Sequence, residues 1–211
     1  MAVAILSLAV PRLLGAATGH QAAGTLWSLR AGAVLEPAVL SQAAQRLDRA
    51  SRFSGDPKGW LDAGYLSLQG QAQSGEPDAG QSLAEARRLT AQGLAGMPGH
   101  ASGWSRLAYL RAEAGDYPSA AQAVRLSMLA GRVPPGLIGD RVRLGLGLLP
   151  WLDAEGLTLL SSDVRNSWIL DTRHISQAVQ TQAQADFIAR ALEGLTEEDK
   201  RQFLRVRGLV K

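Results

Sequence analysis

Ala101-Ser-Gly-Trp104-Ser-Arg-Leu107-Ala108-Tyr109-Leu110-Arg111-Ala-Glu-Ala-Gly115-Asp116-Tyr117-Pro-Ser-Ala120-Ala-Gln-Ala-Val124-Arg-Leu-Ser127-Met128 decides the fold. Its apolar and small side chains recur at helical spacing on both sides of Gly115-Asp116, a pair suited to a turn. Two antiparallel helices need small side chains where they cross. Ala108 and Ala120 permit that approach, and Trp104, Leu107 and Val124 fill the groove beside them. A helical hairpin is expected here. No stretch of the chain alternates as strands do, so the fold class is all-α.

The same stretch resembles the tetratricopeptide repeat (TPR), whose pattern is Trp-x2-Leu-Gly-x2-Tyr, then Ala-x3-Phe, then Pro. Trp104, Leu107, Ala108, Ala120 and Val124 fall on the matching positions, while Arg111 stands where Tyr is usual. A weaker copy opens with Asp56-Pro57-Lys-Gly-Trp60 and closes with Leu83-Ala-Glu-Ala86 through Met97-Pro98. Trp60 and Trp104 are 44 residues apart, about ten more than the family repeat of about 34. Gly75-Glu76-Pro77-Asp78-Ala79-Gly80 is a breaker cluster, so an inserted loop is expected between Gln71 and Ser82. Leu40 to Ala50 has the spacing of a second repeat helix and reads as half a repeat.

The resemblance implies a short TPR-like α-solenoid of antiparallel helical hairpins over 36–132, with additional packed helices over 135–211. It also implies that the first helix of each pair lines a concave face that binds a partner segment. Lys58, Leu61, Tyr65, Leu68 and Gln69 would project there from one copy; Ser102, Ser105, Tyr109, Ala112 and Glu113 would do so from the other. Tyr65 and Tyr109 occupy equivalent places as aromatic anchors, and Trp60 and Trp104 are expected in the core. Contact of some of these residues with neighbouring helices is the competing expectation.

Beyond the repeats, Leu137 to Leu149 is apolar on more than one face and predicts a buried helix stopped by Pro150. Asp153-Ala-Glu155 and Ser161-Ser162-Asp163 read as two successive N-caps, the second opening a helix through Val179. Thr196-Glu-Glu-Asp199 predicts a last short helix containing Phe203, Leu204 and Leu209.

The 211 residues, 46% hydrophobic and 19% charged, exclude a disordered, collagen-like or polytopic membrane chain. A net charge of +3 predicts no large basic surface. With no cysteine there is no disulfide, thiolate metal site or cysteine nucleophile. Ala2 to Val10 is uncharged, Pro11-Arg12 interrupts, and Leu13 to Ala17 resumes the apolar run. Residues 1–19 therefore read as a hydrophobic leader, a signal peptide or membrane anchor lacking the usual basic start, or alternatively as a first packed helix.

No arrangement of residues marks a reaction. His20, His100 and His174 lack ligand spacing, and Asp171 with His174 reads as a solvated contact. Gly145-x-Gly147 lacks the third glycine and the strand of a dinucleotide loop. There is no serine elbow, Walker loop or zinc-protease motif. Arg46, Arg49 and Arg52, and also Arg141 and Arg143, are short charge groups balanced by nearby Asp, so no nucleic acid is expected as partner. The C-terminal Lys200, Arg201, Arg205, Arg207 and Lys211 read as a solvated face. The expectation is a non-catalytic chain with no catalytic residue, no cofactor and no metal.

Ser127 to Gly131, Arg141-x-Arg143-Leu-Gly-Leu, Leu148 to Leu152 and Asp163-Val164-Arg165-x-x-Trp168 carry a second, looser resemblance. They look like bacterial envelope proteins that assist exopolysaccharide or O-antigen biosynthesis and export. This implies a periplasmic or inner-membrane accessory whose partner is a membrane glycosyltransferase, polymerase or export component. The alternatives are a generic TPR chaperone or assembly factor, a helical enzyme with a site built from unmotifed Asp, Glu or His, and a binder of anionic polymers; the cytoplasm is the alternative location.

Overall fold

The computed structural model describes residues 2–74, 79–132, 136–170, 175 and 178–193, and all regular structure among them is helical. The C-terminal helix expected around Phe203, the cationic residues from Lys200 onward and the Asp171–His174 pair lie outside the described residues. No described helix is long and apolar enough to cross a membrane. The chain divides into two compact units between Gly99 and His100.

The first unit holds α1 (Ala2–Arg30), α2 (Pro37–Ser54), α3 (Pro57–Ser74) and α4 (Ala79–Gly96). Gly55, at φ 69°, ends α2 with its N–H on the Ser51 carbonyl at 2.8 Å. A left-handed conformation costs glycine least, so the chain reverses there. Asp56 then caps α3 by accepting from the backbone N–H groups of Lys58 (3.0 Å) and Gly59 (3.2 Å), with Pro57 opening the helix.

Close glycine contacts fix the register of the helices. A Cβ at Gly93 would lie 2.6 Å from Leu61 Cγ, and one at Gly64 would lie 3.1 Å from the Ala86 carbonyl oxygen. Moving up α3 thus means moving down α4. Gly59 likewise faces Ser51 and Gly70 faces Leu40, so α2 and α3 are also antiparallel. Gly15 meets Ser54, while Ala22 and Leu26 join Leu40, Ala43, Ala44 and Leu66 in one core cluster. The second half of the N-terminal helix is therefore packed against α2.

The 44-residue spacing is not taken up mainly by a loop. Helices α3 and α4 have 18 residues each, against 13 and 14 in the second hairpin, so most of the extra chain lengthens the helices. Residues 71–74 and 79–82, expected in the inserted loop, are helical, Ala79 and Gly80 of the breaker cluster among them.

The second unit opens with α5 (Ala101–Glu113) and α6 (Tyr117–Ala130). Gly115 turns at φ 77°, and Asp116 caps α6 by accepting from the Ser119 N–H at 3.3 Å. Ala108, Ala120 and Val124 are fully buried at the crossing, as the hairpin requires. Ser127 Oγ donates to the Ala101 carbonyl at 2.8 Å, and Arg111 Nη1 donates to the Ser119 carbonyl at 3.0 Å. The departure from the repeat pattern at Arg111 thus has a use: its guanidinium ties the turn end of the hairpin together.

The chain continues through α7 (Ile138–Gly147), a 3-10 turn (Leu149–Trp151), α8 (Ala154–Leu170) and α9 (Gln182–Leu192). Asp153 caps α8 by accepting from the Gly156 N–H at 2.7 Å. The second cap expected at Ser161-Ser162-Asp163 does not exist. Those residues lie inside α8, where Ser161 Oγ donates to the Leu157 carbonyl one turn back, at 2.9 Å. Leu160, Val164 and Ser167 carry one buried stripe through the place where the cap was expected. Helix α9 opens with a capping box made by Thr181 and Gln184.

Candidate functional site

The expected partner-binding residues differ in what they present. On α3, Lys58 is exposed and its Nζ lies 2.5 Å from Asp62, which also receives Arg30 at 2.8 Å. Leu61 is 1% exposed beneath Gly93, so it cannot meet a partner. Tyr65 is half-buried against the core cluster shared by α1, α2 and α3, and Leu68 and Gln69 are also half-buried. On α5, Ser105 is buried, Ala112 is half-buried, and Ser102, Tyr109 and Glu113 are exposed. Tyr109 is 42% exposed. Desolvation, the Glu113 charge and a hydrogen bond to Glu113 raise its hydroxyl pKa. The two sets sit in separate units, and the equivalent tyrosines have unlike surroundings. Trp60 and Trp104 are both half-buried. Trp60 also makes a polar contact, its Nε1 donating to Asp48 at 3.1 Å.

Sequence reasoning missed a groove of about 540 Å³ in the first unit, between the second helices α2 and α4. Because each is antiparallel to α3, these two walls are parallel to one another. Arg88 of α4 crosses between them: it donates to Glu85 at 2.7 and 2.8 Å, to Gln92 at 2.9 Å and to Asp48 of α2 at 3.3 Å. Arg52 donates to the same Asp48 oxygen at 2.8 Å. Burial pushes the Asp48 carboxyl up, but the Arg52 hydrogen bond and charge, with Arg88 and Trp60, hold it below its ordinary value. Helical phase was the available signal: Ser41, Gln45, Asp48, Arg49 and Arg52 share one face of α2.

The second unit has a buried ion pair at its centre. Arg141 is 0% exposed; its Nη1 donates to the carbonyls of Ser127 (3.0 Å) and Gly131 (2.6 Å), and its Nη2 to that of Arg132 (3.3 Å) and to Asp163 Oδ1 (2.8 Å). Its Nε lies 2.7 Å from Asp163 Oδ2. A guanidinium from α7 thus closes the C-terminal end of α6, sharing the Ser127 carbonyl with the Gly131 N–H and taking up the carbonyls of Gly131 and Arg132 just beyond the helix, and pairs with a carboxylate of α8. Desolvation pushes Asp163 up to about 6 against the opposing pull of Arg141. The pair is enclosed by protein and serves structure. Its neighbour Arg143 is exposed and bonds Asp140 at 2.6 Å, the local balance expected for both arginines.

Among the described residues, no three His, Asp or Glu side chains gather closely enough to hold a metal ion. An aromatic ledge lies on the second unit, where the rings of Tyr117 and Trp151 stack with centroids 4.6 Å apart, each about two-fifths exposed. No protein-family model, curated protein or solved structure matches this chain.

Proposed function

We propose that the chain is a non-catalytic, TPR-like protein-protein interaction scaffold that serves an envelope machine of polysaccharide biosynthesis or export. Tyr109 is the observation that carries the scaffold reading. It stands exposed on α5, its hydroxyl held by Glu113, while Leu107, Ala108 and Leu110 of the same helix are buried. An aromatic side chain pre-positioned on a rigid helix gives a partner large contact area at small entropic cost. Ser102 and Glu113 flank it with polar groups. The envelope assignment draws on the sequence strings from Ser127 to Trp168 and on the uncharged run Ala2 to Val10.

Photo-cross-linking in the host cell tests both parts. With p-benzoylphenylalanine at position 109, a discrete adduct with a membrane glycosyltransferase, polymerase or export component is expected, in the membrane or periplasmic fraction. The same probe at the exposed Gln122 of α6 should give no such adduct. Equal labelling at both positions, or a wholly cytosolic chain without an adduct, would overturn the proposal.

A further inference from the structure

We infer that the groove between α2 and α4 binds an extended acidic peptide segment of a protein partner. This rests on the scaffold reading and assigns to the first unit a binding face of its own, in addition to the Tyr109 surface, with the chemistry of the segment it takes. Ser41, Gln45 and Arg49 stand on successive turns of α2 and are all exposed along the groove. Their spacing of four residues advances about 6 Å along the helix axis. An extended chain repeats every two residues in about 6.6 to 6.8 Å, so successive side chains meet successive peptide groups of like orientation. Gln81 and Glu85 repeat the interval on the opposite wall, which runs parallel to the first.

The chemistry of the walls suits a peptide backbone. Each glutamine amide both donates and accepts, as a peptide unit does. Ala44 and Leu89, both buried, form the apolar floor between the polar rows. From Ser41 to Arg52 the α2 wall is about 16 Å long, the length of about five extended residues.

Charge selects the side chain. Asp48 and Glu85 are both engaged, by Arg52 and Arg88 together and by Arg88 respectively. Arg49 has no hydrogen-bond or ion-pair partner among the described residues. Among the described residues, the groove therefore offers one positive charge without a partner, complementary to a Glu or Asp of the bound segment.

Fluorescence anisotropy with the full-length protein tests the inference, using three labelled heptapeptide pools randomised except for a central Glu, Ala or Lys. The Glu pool should bind about ten-fold more tightly than the Lys pool, and Arg49→Glu should reverse that order. Gln45→Ala combined with Gln81→Ala should weaken the Glu and Ala pools alike, leaving the order intact. All these residues are exposed, so circular dichroism and melting should match the parent chain. Pools that bind equally, or an order unchanged by Arg49→Glu, would overturn the inference. So would displacement of the Glu pool by polygalacturonate fragments, which would make the ligand an acidic polysaccharide. Cross-links at position 109 without peptide binding would sink the groove alone, whereas loss of both would sink the scaffold reading too.

Discussion

Truncating Asp163 to alanine leaves the Arg141 guanidinium buried without its carboxylate, holding only the carbonyls of Ser127, Gly131 and Arg132. Removing one member of a buried pair costs about 3 to 5 kcal/mol. Asp163→Asn keeps the side-chain carbonyl as an acceptor at nearly unchanged volume, so at about pH 4, where the folded Asp163 is itself uncharged, its cost should be about 1 kcal/mol. The two variants separate the acceptor from the charge. The assay is urea unfolding of the full chain, followed by tryptophan fluorescence and fitted to the transition that Asp163→Ala moves. A shift below about 1 kcal/mol for Asp163→Ala would refute the structural role of the pair. Equal damage from Asn and Ala would show that the charge dominates.

The pH dependence supplies a second arm. The folded-state pKa of Asp163 is raised from 3.8 to about 6, so the folded chain holds this proton more tightly than the unfolded one. The stabilisation from this group is therefore full below about pH 4 and lost as pH rises through about 6. Two pKa units correspond to about 3 kcal/mol. Asp163→Asn should flatten the stability profile between pH 4 and 7 by roughly that amount; an unchanged profile would show that Arg141 outweighs desolvation.

Gly93→Ala should destabilise the first unit by about 1 to 3 kcal/mol, because its Cβ would meet the Pro57 carbonyl oxygen at 2.8 Å and the Leu61 nitrogen at 2.9 Å, and backbone cannot step aside. Gly24→Ala, where nothing lies within 4 Å, should instead stabilise α1 by about 0.5 to 1 kcal/mol; urea titration of both variants checks the pair of opposite signs. Ala120→Leu should overpack the α5–α6 crossing at a cost of about 1 to 3 kcal/mol, and an unaltered melting temperature would count against that packing. His100 caps α5 by accepting from the Gly103 N–H at Nδ1 (3.0 Å), so His100→Ala should cost about 1 kcal/mol whereas His100→Asn should retain most of the cap; melting of the two variants checks this.

The second hairpin was legible because its signals are local. Ala108 and Ala120 mark the crossing, Gly115-Asp116 marks the turn, and each acts within a few residues of where it stands. The first hairpin was less so, since the Gly75–Gly80 cluster suggested a loop from Gln71 to Ser82, whereas residues 71–74 and 79–82 are helical. Arg141 shows why the rest was hidden. In sequence it stands two residues from Arg143, and the two look alike. In the helix it falls on the stripe of Ile138, Val142, Gly145 and Leu146, while Arg143 points to solvent. An arginine in phase with an apolar stripe was a readable signal; its partner on another helix was not. The groove between α2 and α4 was hidden for a similar reason, because its two walls are some forty residues apart in the chain and only the antiparallel register through α3 sets them face to face.

Helix α3 carries glycine contacts on both flanks, Gly59 and Gly70 toward α2 and Gly64 toward α4, whereas α1 packs chiefly on α2 and reaches α3 through the Arg30–Asp62 bond and the core cluster that Ala22 and Leu26 share with Leu66. An axle gripped from two sides cannot leave without releasing both neighbours. Drawn apart from its N-terminus, the first unit should therefore yield in two steps of unequal force: α1 peels away alone, and the three remaining helices then give way together.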